Sequence, residues 1–394
     1  MHFITVHGEW IAVSSGPRLL IFGEISKREV TLELPPVRPP VKENKPPPKV
    51  IPEDSKNIFL GLQFSLCGKW FAAYSSAKQL LVWETNDWTL ASERYMPKTA
   101  TSMKFTPDSH AIVIVDKAGD AVLFSMQELQ KEGEVILGHL SMLLDVIITA
   151  NGKQILTCDR DEKIRVSHFP NAYNIISYCL GHKEFVSSIS LLPHNPTLLL
   201  SSSGDGTIQL WNYSQGTSLN SYDCTSDVTK YLKADSSSLA ELEDGKPSSI
   251  IVNKICCCKV SDVTSLVFAL FYGFQGCLLY RITLEKIEFV QALLPNLNVL
   301  DLSVRETGEL LARLAKTDDN IDVLQCFSYD NTAKTLTPTV SSESLNQIVI
   351  KINAVLCSSD NQCVTSSNVP QLLKRKFDNV KDYYEQKKAR IGEQ

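Results

Sequence analysis

No stretch of 18 consecutive apolar residues occurs in this chain, which excludes a membrane-crossing helix. The opening residues, MHFITVHGEWIAV, have no positively charged segment followed by an apolar one, so no secretory leader is expected. A surplus of charge is missing too: the formal net charge is −5, and any attraction to nucleic acid must come from a local patch rather than the whole molecule. Paired cysteine spacing is absent. The eleven cysteines are scattered, and the one cluster, Cys256-Cys257-Cys258, alternates faces on a strand and cannot gather two ligands as C-x-x-C does. Reduced, mostly buried thiols follow, which places the expected compartment in the nucleus or cytoplasm.

The machinery of catalysis is also lacking. There is no nucleophile beside a plausible base, no glycine-rich phosphate loop before a helix, no metal-spaced Cys/His cluster and no dinucleotide- or methyl-donor-binding βαβ unit. No cofactor and no metal are expected, and the chain reads as a platform rather than an enzyme. What remains is an ordinary globular composition, with 43% hydrophobic and 21% charged residues, which argues against an extended or disordered chain.

What the sequence does contain is a repeat. YSSAKQLLVWE, IVDKAGDAVLFS, TCDRDEKIRVS and SSSGDGTIQLW each join an apolar strand, a tight polar turn and a second strand. Their last strands finish at Trp83, Ser125, Ser167 and Trp211, with spacings of 42, 42 and 44 residues, and a weaker copy, VSSGPRLLIF, ends at Phe22. Gly-His occurs at matching places in LGHLSMLLDV and LGHKEFVSSI, putting His139 and His182 43 residues apart. Periods of this length indicate β-propeller blades. Strands such as KWFAAYS, HAIVIVD and TLLLSSS are apolar at most positions, as expected when both faces pack on neighbouring blades, and TPDSH, ANGK and SGDG supply the turns.

These units resemble the WD-repeat family. In that family a Gly-His histidine, a strand serine or threonine, a turn aspartate and a strand tryptophan form a hydrogen-bonded set, and His182, Ser203, Asp205 and Trp211 fit it. The expected fold is all-β: a seven-bladed WD-repeat β-propeller over residues 1–368, with a short basic C-terminal helix or tail over 369–394. VTSLVFALFYGFQGCLLYRI and VLDLSVRETGELLARLAKTDDNIDVLQCFS supply the last two blades, and NQIVIKINAVLC is expected as a closing strand that pairs with the N-terminal blade. Residues 35–52 carry eight prolines, which cannot donate to a sheet ladder, and read as an exposed loop between the first two blades; the polar insertion 223–249 reads as another.

The tail carries Lys374, Arg375, Lys376, Lys381, Lys387, Lys388 and Arg390 against four acidic residues, and Phe377, Val380 and Tyr384 share one face of a helix. Two readings stay open for it: a solvated helix on the propeller's edge, or a helix that reaches phosphates.

The charged turn TCDRDEKIRVS stands apart. Aligned on SSSGDGTIQLW, it puts Asp161 on Asp205, Asp159 on Ser203 and Ser167 on Trp211, so the tryptophan is lost and Arg160, Glu162, Lys163 and Arg165 are gained. Asp161 reads as a turn holder, and Lys163 and Arg165 as alternate positions on one strand face. Both signs packed this tightly suit charge-complementary docking.

LGHLSMLLDV followed by DRDEKIRVS, then LGHKEFVSSI and SSSGDGT, with VDKAGDAVLFS upstream and FDNVKDYY in the tail, resembles the WD-repeat, non-catalytic subunit of the eukaryotic tRNA (guanine-N7)-methyltransferase. The resemblance spans most of residues 57–215 and the C-terminus. It implies a subunit that stabilises a separate Rossmann-like methyltransferase and helps position tRNA, so that a variable-loop guanosine is methylated at N7. It further implies partner-binding roles for Arg160, Asp161, Glu162, Lys163 and Arg165, with Lys117 a further candidate, and a tail directed toward tRNA. The alternative is a general protein-interaction propeller, such as a ubiquitin-ligase substrate receptor or chromatin scaffold, with no RNA role.

Overall fold

The computed structural model describes residues 3–37, 57–231, 250–293, 297–316, 323–330, 333–338, 342–358 and 369–373. Seven four-stranded antiparallel sheets occupy residues 4–33, 59–95, 100–138, 143–180, 186–223, 252–293 and 299–338, blades 1 to 7 in chain order. In every blade the strands are hydrogen-bonded neighbours in the order in which they occur in the chain.

The inner strands are apolar on both faces because both faces are covered. In the second strand of blade 2, Trp70–Ser75, all six residues are buried. Successive side chains point to opposite sides of a strand. Thus Phe71 and Ala73 pack with Ala12, Leu19 and Ile21 of blade 1, whereas Ala72 and Tyr74 pack with Met103, Ile112 and Ile114 of blade 3. Outer strands meet solvent and turn polar, as in Thr217–Asp223.

Two carboxylates, Asp145 half-buried and Asp301 buried, fasten neighbouring blades to each other. Asp145 of blade 4 accepts hydrogen bonds from Ser102 Oγ of blade 3 at 2.7 Å and from the Ile189 N–H of blade 5 at 3.0 Å. Asp301 of blade 7 pairs with Lys254 of blade 6 and accepts the Ile4 N–H of blade 1 at 3.0 Å. The second of these crosses the point where the two ends of the ring meet.

That seam corrects the expectation of a closing strand. Residues 346–357 lie in a helix, α2 (Glu343–Ser358), not in a strand, just as the start of the polar insertion forms the short helix α1 (Thr225–Thr229) rather than loop. Leu345, Ile348, Val349, Ile352 and Leu356 recur at the 3–4 residue spacing of one helical face. They pack with Ile4, Ile11, Val13, Leu20 and Phe22 of blade 1 and with Leu311, Leu324 and Cys326 of blade 7. Blades 1 and 7 each obtain four strands from their own sequence, so neither needs a borrowed one.

Polar groups lock the helix in place. The Asn353 side chain accepts the Val323 and Leu324 N–H groups at 3.1 and 2.8 Å. Ser342 Oγ caps the helix by accepting the Leu345 N–H at 3.0 Å. Glu24 accepts from Ser342, Ser344 and Arg305, and Arg305 also pairs with Glu309. Burial works against the Glu24 charge, but the hydrogen bonds from the two serines and Arg305 more than offset it and hold its carboxyl below the usual range.

If α2 seals the ring, Ile352→Ala lowers stability by about 2–5 kcal/mol, whereas Ile350→Ala, on the exposed side, changes it by less than about 0.5 kcal/mol. Thermal and urea denaturation of the two variants checks this. Equal effects would remove the helix from the seam.

Candidate functional site

The turns between the second and third strands of the blades share one face of the ring with the connections that lead from each blade to the next: the Arg160 N–H bonds Met142 O, and the Gly204 N–H bonds Phe185 O. Lys78, Gly119, Glu162 and Gly206 occupy the same place in the turns of blades 2 to 5, all with positive φ, at 66°, 99°, 70° and 83°. At Gly119 a Cβ would lie 2.6 Å from the His139 and Ser141 carbonyl oxygens, which explains the glycine.

In blade 5 the hydrogen-bonded set runs through a different serine from the one expected. Trp211 Nε1–H donates to Ser201 Oγ at 2.7 Å, Ser201 Oγ lies 2.7 Å from His182 Nε2, and His182 Nδ1 lies 3.0 Å from Asp205 Oδ2. Ser203, named from the sequence, bonds the Glu184 carbonyl and the Asp205 N–H instead. The reason is pairing register: Ser201 stands opposite Gln209 and next to Trp211 on the same side of the sheet, whereas Ser203, the last residue of its strand, pairs with Val186 and lies beyond the ladder that holds Trp211. Burial pushes the Asp205 carboxyl up, but hydrogen bonds from His182, Lys183 and Thr207 outweigh it and bring it down to about 2.

Blade 4 redistributes the same duties. His139 Nδ1 lies 2.9 Å from Asp159 Oδ2, and its Nε2 lies 2.9 Å from Thr157 Oγ1. Asp159 Oδ1 also accepts the Asp161 and Lys163 N–H groups at 2.9 and 3.1 Å. The turn holder is therefore Asp159, two residues before the position aligned with Asp205, and the expectation that Asp161 holds the turn is corrected. Asp116 does the same in blade 3, accepting the Ala118, Gly119 and Asp120 N–H groups. An aspartate at the end of the second strand in two successive blades was the legible signal.

Arg165 is corrected as well. It does not share a solvated face with Lys163. Strand Lys163–His168 puts Lys163 at its exposed end, and Arg165, 7% exposed, is turned inward. Its guanidinium donates to Ser167 Oγ at 3.0 Å, to Gly138 O at 3.1 Å and to Ala172 O at 2.9 Å. Ser167 occupies the tryptophan's position and accepts one of these bonds, and Arg165 stands where blade 5 has Gln209, reaching the Gly138 carbonyl as Gln209 reaches that of Gly181.

The remaining charged residues of the turn lie at the surface: Asp161 and Glu162 are half-buried, and Lys163 is exposed. Lys117 is exposed in the adjacent turn of blade 3. Leu140, unnoticed in the sequence, is fully exposed in the connection between those two blades. Arg160 reaches away from the rest and donates to the Leu372 and Leu373 carbonyls. The basic residues Lys374, Arg375, Lys376, Lys381, Lys387, Lys388 and Arg390 lie outside the described residues, as do residues 38–52 of the proline-rich stretch and 232–249 of the polar insertion. An exposed charged turn beside an apolar side chain, mounted on a rigid sheet, can dock a complementary macromolecule; the chemistry it offers is recognition.

Two expectations test this site. The depressed Asp205 pKa contributes stability that is fully present above about pH 4 and lost as pH falls toward 2, worth about 2 kcal/mol. Urea unfolding should show the gap between wild type and Asp205→Asn narrowing over that window, and a constant gap would refute the role of the charge. Arg165→Ala, which leaves buried carbonyls without their donor, should cost the isolated chain about 2–4 kcal/mol, whereas Lys163→Glu should change it by less than about 0.5 kcal/mol. Equal melting temperatures for the two variants would return Arg165 to the surface.

Comparison with known proteins supplies the family. The family model of the tRNA methyltransferase TRM82 WD40 domain matches residues 124–322. The Xenopus laevis tRNA (guanine-N(7)-)-methyltransferase non-catalytic subunit wdr4 is 32% identical over 334 residues, covering 84% of this chain and 80% of that protein. The Homo sapiens protein of the same description is 44% identical over 168 residues, 43% of this chain and 41% of that one. A chain in the crystal structure of the mitotic checkpoint complex superposes with a TM-score of 0.61 over 79% of this chain and 86% of its own length, at 11% identity, a likeness of fold alone. Seven blades, the LGHLSMLLDV–DRDEKIRVS pairing and these matches lead to one conclusion: the chain belongs to the family of WD-repeat, non-catalytic subunits of tRNA (guanine-N7)-methyltransferase.

Proposed function

We propose that the chain holds a separate catalytic methyltransferase subunit against the turn-bearing face of blades 3 and 4, stabilises it, and helps position tRNA for methylation of a variable-loop guanosine at N7. Membership of a family of non-catalytic subunits implies the catalytic partner. The observation that supports this docking place is the division of labour in the blade 4 turn. Asp159 partners His139 and holds the turn, and the charged side chains of Asp161, Glu162 and Lys163 lie at the surface beside it.

Glu162 adds a second support. It sits at φ 70° where blades 3 and 5 carry glycine, a conformation costing a side chain on the order of 1 kcal/mol. A charged residue kept there despite that cost fits a role in recognition. Lys117 and Leu140 extend the same surface, the leucine as an apolar anchor and the lysine as part of a charged rim.

In this reading the basic tail from Lys374 to Arg390 contacts tRNA phosphates, and the nucleus is the site of action. The nine cysteines among the described residues whose state is defined are all free thiols, which suits a reducing compartment. Imaging of the tagged full chain tests the location.

Reversing both Glu162 and Lys163, as E162K with K163E, should weaken association with the catalytic subunit at least 10-fold while leaving the melting temperature of the propeller unchanged. Two rim ion pairs together contribute at most about 2 kcal/mol, about 30-fold, and desolvated ones about 2–5 kcal/mol, so a loss beyond about 30-fold means burial in the complex. Undiminished co-purification would remove the turn from the interface. Deleting residues 374–394 should leave association intact but lower tRNA affinity of the assembled complex and flatten its salt dependence. An unchanged salt slope would assign the tail a packing role.

A further inference from the structure

The interaction made by Arg160 separates it from its neighbours in the turn. Its Nε–H donates to the Leu372 carbonyl at 2.9 Å and its second terminal nitrogen lies 3.4 Å from the Leu373 carbonyl, more than 200 residues further along the chain. These are the last carbonyls of the short helix α3 (Val369–Leu372) and the residue after it, groups that have no partner within such a helix. An arginine from another element is a strong donor for them.

The segment is also seated by apolar contact. Val369 is buried in a cluster with Phe185 and Ile251, against which Leu144, Tyr272, Leu372 and Leu373 pack. The seat is therefore shared by blades 4, 5 and 6. Phe185 is itself fixed over the blade 5 turn, where a Cβ on Gly204 would lie 2.5 Å from its ring.

The location matters because of where the preceding helix ends. α2 closes the seam between blades 7 and 1 and ends at Ser358, while Arg160 belongs to blade 4, three blades from either side of that seam. Rooted at Ser358, the last 36 residues would start across the ring from the charged turn; rooted at Leu373, the last 21, beginning with Lys374-Arg375-Lys376, start beside it. Local concentration of a tethered segment at its target depends on where the tether starts and how long it is.

We infer that Arg160 is a positioning residue that anchors the chain's own C-terminal segment, so that the basic tail leaves the propeller next to the docking turn of blade 4. The inference rests on the reading in which that turn meets the catalytic subunit and the tail meets tRNA. It assigns Arg160 to the tRNA side of the function, not to the ion pairs of the subunit interface.

The test uses the full chain assembled with its catalytic subunit and compares Arg160→Ala, Val369→Asp, deletion of 374–394, and Arg160→Ala combined with the deletion. Subunit association, tRNA affinity with its salt slope, and amide hydrogen exchange of residues 369–373 are measured. Both point variants should keep association, speed exchange of the segment, and weaken tRNA binding by a factor no greater than the deletion. Adding Arg160→Ala to the deletion should cause no further loss. If Arg160→Ala loses association while Val369→Asp keeps it, Arg160 is a direct partner contact and the inference is overturned. Unchanged tRNA affinity in both point variants, where the deletion weakens it, overturns it equally. Should the deletion itself have no effect, the tail–tRNA reading fails by itself, and unaltered exchange of 369–373 in Arg160→Ala would then dispose of the anchor too.

Discussion

A ring of sheets has to be closed at one point, and among the described residues of this propeller no strand is shared across that point. Asp301 carries the closure through the first strands of the blades: one carboxylate accepts the Ile4 amide of the first blade and holds Lys254 of the sixth. A buried carboxylate of this kind is stabilising only when its hydrogen bonds are complete, because an unpaired charge in the same place costs several kcal/mol. The two ends of the chain's β-structure therefore depend on each other. α2 then covers the outside of the junction with an apolar face that fits both blades, and the Glu24–Arg305–Glu309 group fixes the start of that helix.

Closure at blades 7 and 1 leaves blades 3 to 5 on the opposite arc of the ring, and the charged turn is mounted there. The WD-type hydrogen-bonded set is complete in blade 5, from Trp211 through Ser201 and His182 to Asp205. Blade 4 keeps its histidine and hydroxyl but moves the carboxylate two residues back and has Ser167 in place of the indole, bonded by the internal Arg165. The exchange is conservative for folding because the Arg165 guanidinium finds acceptors in Ser167, Gly138 and Ala172. In the proposed reading, the surface charges beside this strand end are what a partner meets.

Neighbouring charges in such a turn do different things. Arg165 is a packing residue, Arg160 binds the chain's own C-terminal segment, and Asp161, Glu162 and Lys163 are at the surface. Three basic side chains within six residues have three separate fates, decided by the direction in which the backbone points each one. The catalytic work belongs to another subunit, and in the proposed reading this chain contributes the arrangement of surfaces.

By itself the sequence determined the blade count, the period and the family, because those depend on local patterns: alternation of apolar residues, turn residues at fixed offsets, and a specific pairing of LGHLSMLLDV with DRDEKIRVS. It did not determine which serine meets His182, which aspartate holds the blade 4 turn, or which way Arg165 faces. Each of those is a matter of strand register, and shifting a residue by one or two positions changes its partner without changing the composition of the segment. The character of residues 343–358 was legible in the spacing of Leu345, Ile348, Ile352 and Leu356, yet an expectation that a ring needs a closing strand concealed it. The contact of Arg160 with Leu372 was legible nowhere, since no local pattern joins residues more than 200 positions apart. Only the closed ring brings them together, by returning the end of the chain to the face that its middle had already built.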